Sequence, residues 1–234
     1  QPGLTCWFGE LLTEGWDQFR VSPDMTIDME LFDHAWLVAT CLLPNNNILN
    51  IISKAKQEPY KQTVLDMFGT QEKVDFAYDK QDLNFLYMNG VIDLELAGDN
   101  KFYAKFPNPF VQKRLFNYFS GELFDRFGTL YDPFEDLEPV IDETSLNIRN
   151  IMKLYHKYLM ENRELILKRA PRRSDMKIYE ATYHFNLYMY LSRFIRRFDG
   201  NVYPEFPTGN GKIDLIVEYA DKTYGIELKS YTDI

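Results

Sequence analysis

The sequence predicts a mixed α and β chain, mainly helical in its N-terminal region and closing on an α/β core. Three observations carry that prediction. Apolar residues recur at helical spacing through most of the stretch from Phe8 to Asn89. Period-two alternation replaces it at residues 91–96 and 101–106, on either side of Gly98-Asp99-Asn100. The alternation returns after residue 200, behind one further helical stretch. Composition agrees: 234 residues, 45% hydrophobic and 26% charged, suffice to bury a real core and exclude disordered, collagenous and low-complexity classes.

In chain order, residues 8–16 and 30–43 read as short packed helices, separated by Ser22-Pro23-Asp24 and followed by Pro44-Asn45-Asn46-Asn47. Another helix is expected at 60–68. Residues 79–89 follow, with Leu83, Leu86 and Tyr87 apolar and Gly90 at the C-cap. After the hairpin, Pro107 and Pro109 lead into a helix at 111–119. Helix, helix and two-stranded wing is the order of a winged-helix unit. The helix that would read DNA carries Asp79 and Asp82 against Lys80, which suits packing on protein better than phosphate contact. Residues 124–142 turn acidic and carry Asp132-Pro133 and Glu138-Pro139, a connector before a long helix at about 144–168. The expected segments are a helical 1–55, a winged-helix-like 56–125, a connector with long helix at 126–172, and the α/β core at 173–234.

Residues 60–120, through Asp82-Leu-Asn-Phe-Leu-Tyr-Met-Asn-Gly-Val-Ile92 and Phe102-Tyr-Ala-Lys-Phe-Pro-Asn-Pro109, resemble the winged-helix segment behind the ATPase module of AAA-ATPase-like proteins. Gln1-Pro-Gly-Leu4 is similar to the start of such an ATPase's helical lid. The resemblance implies an upstream ATPase domain as a partner. Nothing here hydrolyses a nucleotide alone: Gly211-Lys212 is followed by Ile213, and Phe206 holds the first-glycine position of a phosphate-cradling GxxxxGK[ST] loop. The chain opens without a methionine or a secretory leader, so it is expected to be a fragment of a longer protein. Cys6 and Cys41 form no CxxC pair or disulfide framework, and the cytoplasm is the expected compartment. The longest apolar stretch, residues 35–43, falls far short of the roughly 20 residues that cross a bilayer, so no membrane is expected.

The net charge of −9 is unevenly spread. Residues 1–150 hold 12 basic against 24 acidic side chains, and residues 151–234 hold 14 against 11. Only the C-terminal part is able to attract a polyanion. Its basic residues include Arg172, Arg173 and Lys177, then Arg193 and Arg197, which read either as a solvated helix surface or as phosphate contacts.

The informative stretch is 174–234. A helix is expected at about 175–198, capped by Ser174 or Asp175 and stopped by Gly200. Helical spacing puts Tyr183, Leu187, Leu191, Phe194, Ile195 and Phe198 on one stripe, with Glu180 in its middle and His184 beside it one turn on. A carboxylate aimed at a core is costly unless paired or bound to a cation; a structural salt bridge and a functional site both answer that. Strands are expected at 202–206, 212–219 and 223–231, the last two joined by a short turn at Asp221-Lys222. If 220 pairs with 223, Asp214 falls opposite Lys229 and diagonal to Glu227, all on one sheet face. Ile213, Leu215, Val217, Ile226 and Leu228 then form the apolar face behind them. Two carboxylates beside one ammonium, with a third carboxylate arriving from a helix, suit a hard cation such as Mg²⁺ or Mn²⁺. Such an ion with a lysine beside it serves phosphodiester hydrolysis.

Ile213-Asp214, Glu227-Leu228-Lys229 thirteen residues on, and Glu180 on the preceding helix resemble the PD-(D/E)xK nuclease superfamily. The run Gly-Asn-Gly-Lys-Ile-Asp-Leu-Ile-Val with Tyr-Gly-Ile-Glu-Leu-Lys is similar to the nuclease domain appended to AAA-ATPase-like proteins. The resemblance covers about residues 178–232 and implies a restriction-endonuclease-like core. It implies Asp214, Glu227 and the Leu228 carbonyl as metal ligands, Lys229 as the catalytic lysine and Glu180 as the carboxylate orienting a metal-bound water. Isoleucine stands in place of the motif's first proline. The chain ends just after the Lys229 strand, so the core is expected to be truncated at its C-terminus.

The three histidines, His34, His156 and His184, show no ligand spacing, which argues against zinc; His184 reads as a core or edge residue before one that leans toward the site from Glu180's helix. Two functions from different classes answer to these residues. One is a metal-dependent nuclease acting on nucleic acid, DNA before RNA, with oligomerisation left open. The other is a non-catalytic regulatory or interaction module that keeps a nuclease-like fold as scaffold.

Overall fold

The computed structural model describes residues 2–14, 26–41, 43–69, 73–97, 101–124, 140–164, 166, 170, 180–195, 198–208 and 211–228. In chain order these form α1 (Pro2–Thr13), α2 (Met29–Cys41), α3 (Asn46–Ala55), α4 (Tyr60–Gly69), β1 (Val74–Phe76), α5 (Gln81–Met88), β2 (Asp93–Ala97), β3 (Lys101–Lys105) and α6 (Pro109–Phe124). Then come β4 (Ile141–Asp142), β5 (Ser145–Leu146), α7 (Ile148–Glu161), α8 (Glu180–Ile195), β6 (Asn201–Thr208), β7 (Gly211–Tyr219) and β8 (Lys222–Ile226). The chain is mixed α and β, with small antiparallel sheets. The segments expected from sequence are continuous; the compact units are not. One comprises Gln1–Lys61 with Val74–Asn117, the other Gln62–Lys73 with Tyr118–Ile234.

In the first unit α1 and α2 meet through rings. Phe8, Phe32, Trp36 and Phe110 lie with centroids 5.3–6.5 Å apart, mostly edge to face or tilted. Arg114 Nη1 donates to the Ala39 and Leu43 carbonyls at 3.0 and 3.1 Å, supplying donors to carbonyls that the end of α2 leaves without helical partners. Asn45, expected only as part of a separator, caps α3 by accepting from the backbone N–H of Asn47 and Ile48. Gly90 takes φ 68° behind α5, a conformation that favours glycine. β2 and β3 pair antiparallel, Leu94 opposite Ala104. The turn expected at residues 98–100 lies outside the described residues. The third strand, β1, had no signal in the sequence because three residues are too short to show a period; it completes a β1-β3-β2 sheet.

The second unit is organised around α8. Phe185 is fully buried against Phe68 of α4 and Phe119 of α6. Asn186 accepts a 2.9 Å bond from the Tyr155 hydroxyl of α7, and the Tyr190 ring packs against Tyr155 and Tyr158. The single apolar stripe expected for this helix is replaced by burial on nearly every side, and Tyr183, expected in the stripe, is 37% exposed. Stripe arguments assume one core side, whereas α7, α4, α6 and the β6-β7-β8 sheet surround this helix.

The long helix expected from about residue 144 begins later, at Ile148, behind an Asn147 cap. Asp142 takes the intervening residues for a tight hairpin, accepting from Thr144 N and Oγ1 and from Ser145 Oγ at 2.8–2.9 Å. This hairpin is fastened to the C-terminal sheet. Tyr219 donates its hydroxyl proton to the Asp142 carbonyl at 2.7 Å, and Leu146 N–H donates to the Tyr224 hydroxyl at 2.9 Å.

Candidate functional site

β7 is the middle strand of the antiparallel order β6-β7-β8, with Val202 opposite Val217 on one side and Val217 opposite Tyr224 on the other. Leu215 and Val217 are fully buried and Ile226 nearly so, the apolar face expected from the alternation. Asp199 takes φ 57° where α8 turns toward β6. Gly200, expected only to stop the helix, has a second reason to be glycine. A Cβ there would stand 2.7 Å from the Glu218 carbonyl oxygen and against Ile195.

The β7–β8 connection corrects the expected register. Tyr219 pairs with Lys222, so the turn is Ala220-Asp221, both left-handed at φ 47° and 59°. Two consecutive residues of positive φ make the tight hairpin turn whose twist matches paired strands. A turn one residue earlier than Asp221-Lys222 shifts every partner by two. The last pair is Leu215 with Ile226, and the same register continued one residue past it would set Asp214 against Glu227 rather than Lys229. A two-residue shift keeps each side chain on its face, which is why the apolar face survives the correction.

Asp214 is 5% exposed. Its Oδ2 accepts a 2.6 Å bond from the backbone N–H of Leu228, and the same oxygen lies 3.7 Å from His184 Nε2. His184, on α8, is 4% exposed. Sequence reasoning weighed a place leaning toward the site for it, one turn after Glu180, and preferred a core or edge one; it is buried and beside Asp214, on the helix that packs on β6 and β7. Glu227 is exposed and Leu228 half-buried. The Leu228 N–H bond brings the chain around Glu227 next to Asp214, the two carboxylates being the described candidates for holding a cation.

Of the other expected residues, Glu180 opens α8, and its side chain lies outside the described residues, as do Lys229, Arg172, Arg173, Lys177 and Arg197. Arg193 is exposed on α8, near enough to Tyr158 to oppose the rise in that phenol's pKa caused chiefly by burial. Burial likewise pushes the Tyr155 and Tyr190 hydroxyls up. Among the described residues no three His, Cys, Asp or Glu side chains converge as a metal cluster. Two hard carboxylates remain, and Mg²⁺ takes one or two with water filling the other positions. A cavity of about 300 Å³ in the first unit, lined by Phe8, Phe32, Trp36 and Phe110, offers no titratable side chain among the described residues. No helix among the described residues is long and apolar enough to cross a membrane.

Comparison of the chain with protein-family models, with curated proteins and with solved structures found no match.

Proposed function

We propose that this chain is a metal-dependent nuclease module that hydrolyses phosphodiester bonds of nucleic acid, DNA in the first instance. The observation that carries the reading is Asp214 on β7, buried beside the helix that Glu180 opens and bonded by the Leu228 N–H, so that the chain past β8 that carries Glu227 runs next to it. In this reading Asp214, Glu227 and the Leu228 carbonyl hold Mg²⁺ or Mn²⁺, Lys229 steadies charge on the phosphate, and Glu180 orients the attacking water. The bound metal supplies Lewis-acid neutralisation of phosphate charge and a more acidic water. Arg172, Arg173, Lys177, Arg193 and Arg197 track the phosphate backbone. The core of this module is restriction-endonuclease-like, the unit at 56–125 is winged-helix-like, and the module works as part of an AAA-ATPase-like protein.

One observation favours a second reading, a non-catalytic interaction module. The Leu228 N–H bond to Asp214 ties off the strand end and gives the carboxylate a structural task without any metal. Titrating Mg²⁺ and Mn²⁺ against plasmid, linear duplex, single-stranded DNA and RNA separates the two. Metal-dependent cleavage, lost in Asp214→Ala and in Glu227→Gln, is the expected result. Metal binding without cleavage of any of these substrates, by this chain and by a longer one carrying flanking sequence, overturns the nuclease reading in favour of the second.

A further inference from the structure

We infer that His184 is a positioning residue for Asp214, holding the carboxylate in the orientation that receives the metal; this rests on the reading of Asp214 as a ligand. Both residues are almost wholly buried, 4% and 5% exposed, and they come from different elements, α8 and β7. Nε2 stands 3.7 Å from Oδ2, within ion-pair reach and longer than a hydrogen bond. The Leu228 N–H reaches the same oxygen at 2.6 Å from just past the end of β8. Oδ2 is therefore flanked on two sides by groups of the protein, and Oδ1 is the oxygen that neither engages. A carboxylate fixed through one oxygen presents the other at a defined place, which is how outer partners orient ligands at metal sites. A freely rotating aspartate on an open strand would lose that orientation on every turn about χ1 and χ2. The helix also explains why the imidazole stays put: Leu187, Leu191 and Ile195, which follow it along one face of α8, are fully buried.

Leucine at 184 fills the volume without a polar atom, glutamine places an amide nitrogen at the reach of Nε2, and asparagine stops short of it. The test uses the full 234-residue chain and reads two quantities: Mn²⁺ affinity by calorimetry, and the exchange protection of the Leu228 amide in metal-free protein. Expected are a fall of about 10–100-fold in Mn²⁺ affinity and reduced Leu228 protection in His184→Leu. Both should return to near wild-type values in His184→Gln, and His184→Asn should behave as the leucine variant. If His184→Leu does not fold, the contrast between glutamine and asparagine decides. Equal Mn²⁺ affinity across wild type and the folded His184 variants overturns the positioning role. Mn²⁺ bound by Asp214→Asn as tightly as by wild type, or not bound by wild type at all, overturns the reading on which it rests.

Discussion

Substituting Ala220 decides the register that brings Asp214 to Glu227. Ala220 sits at φ 47° and Asp221 at φ 59°. The left-handed region costs an L-residue about 1–2 kcal/mol, and asparagine escapes much of that through local hydrogen bonding. Ala220→Asn should therefore stabilise the second unit by about 0.5–1 kcal/mol, since it leaves the unfolded chain's freedom nearly unchanged. Ala220→Val should cost at least about 1–2 kcal/mol, because a β-branched residue at positive φ crowds its own backbone. Asp221→Gly should be close to neutral, the relief of strain being offset by about 0.5–1 kcal/mol of added unfolded-state entropy. The assay is urea denaturation at unchanged m, accompanied by amide exchange across β7 and β8 so that the unit containing the hairpin is the one observed. The alternative register, with 220 paired to 223, makes Ala220 a strand residue. There valine is favoured and asparagine disfavoured. The two registers thus predict opposite signs for the same two substitutions. A stabilising valine with a destabilising asparagine would refute the turn and return Lys229 to the position opposite Asp214.

Two further outcomes are expected. Gly200→Ala should destabilise by about 1–3 kcal/mol in urea, because the added methyl meets the Glu218 carbonyl at 2.7 Å and backbone cannot step aside as a side chain can. Asp142 is held at a pKa of about 2 rather than its ordinary 3.8, first by the Thr144 backbone N–H and then by the Ser145 and Thr144 hydroxyls. A lowered folded pKa means its contribution is complete above about pH 4 and disappears as pH falls toward 2; carbon-detected titration of the carboxyl should place the midpoint near 2, and Asp142→Asn should remove that pH dependence.

Most helices and the hairpin of β2 and β3 are legible because their signals are local. Asn45, Gly90 and the alternation at 91–106 each act within a few residues. The apolar face of β7 and β8 was legible for the same reason, and so were the residue types at the candidate site. The pairing of Asp214 was not, because it depends on whether Asp221 ends the turn or begins it, and Ala-Asp carries no strong turn preference. His184 was hidden by its neighbours: on a helix buried on nearly all sides, a polar residue's spacing does not tell which partner it meets. The hairpin at Asp142 was hidden because a run of Asp, Glu, Thr and Ser resembles a helix start until the side chain's own hydrogen bonds are counted.

The tyrosine hydroxyls that fasten this hairpin also set an order of events during synthesis. Tyr219 reaches back 77 residues to Asp142, and Tyr224 reaches back 78 to Leu146. At the usual pace of translation the hairpin emerges about 4–15 s before the strands that clasp it. Early in that interval Tyr155 and Tyr158 on α7 are made while α8, which packs on them, has yet to follow. Contacts of such long range close slowly. A chain stalled before residue 211 therefore has the Asp142 hairpin but neither β7 and β8 nor the two hydroxyls that clasp it.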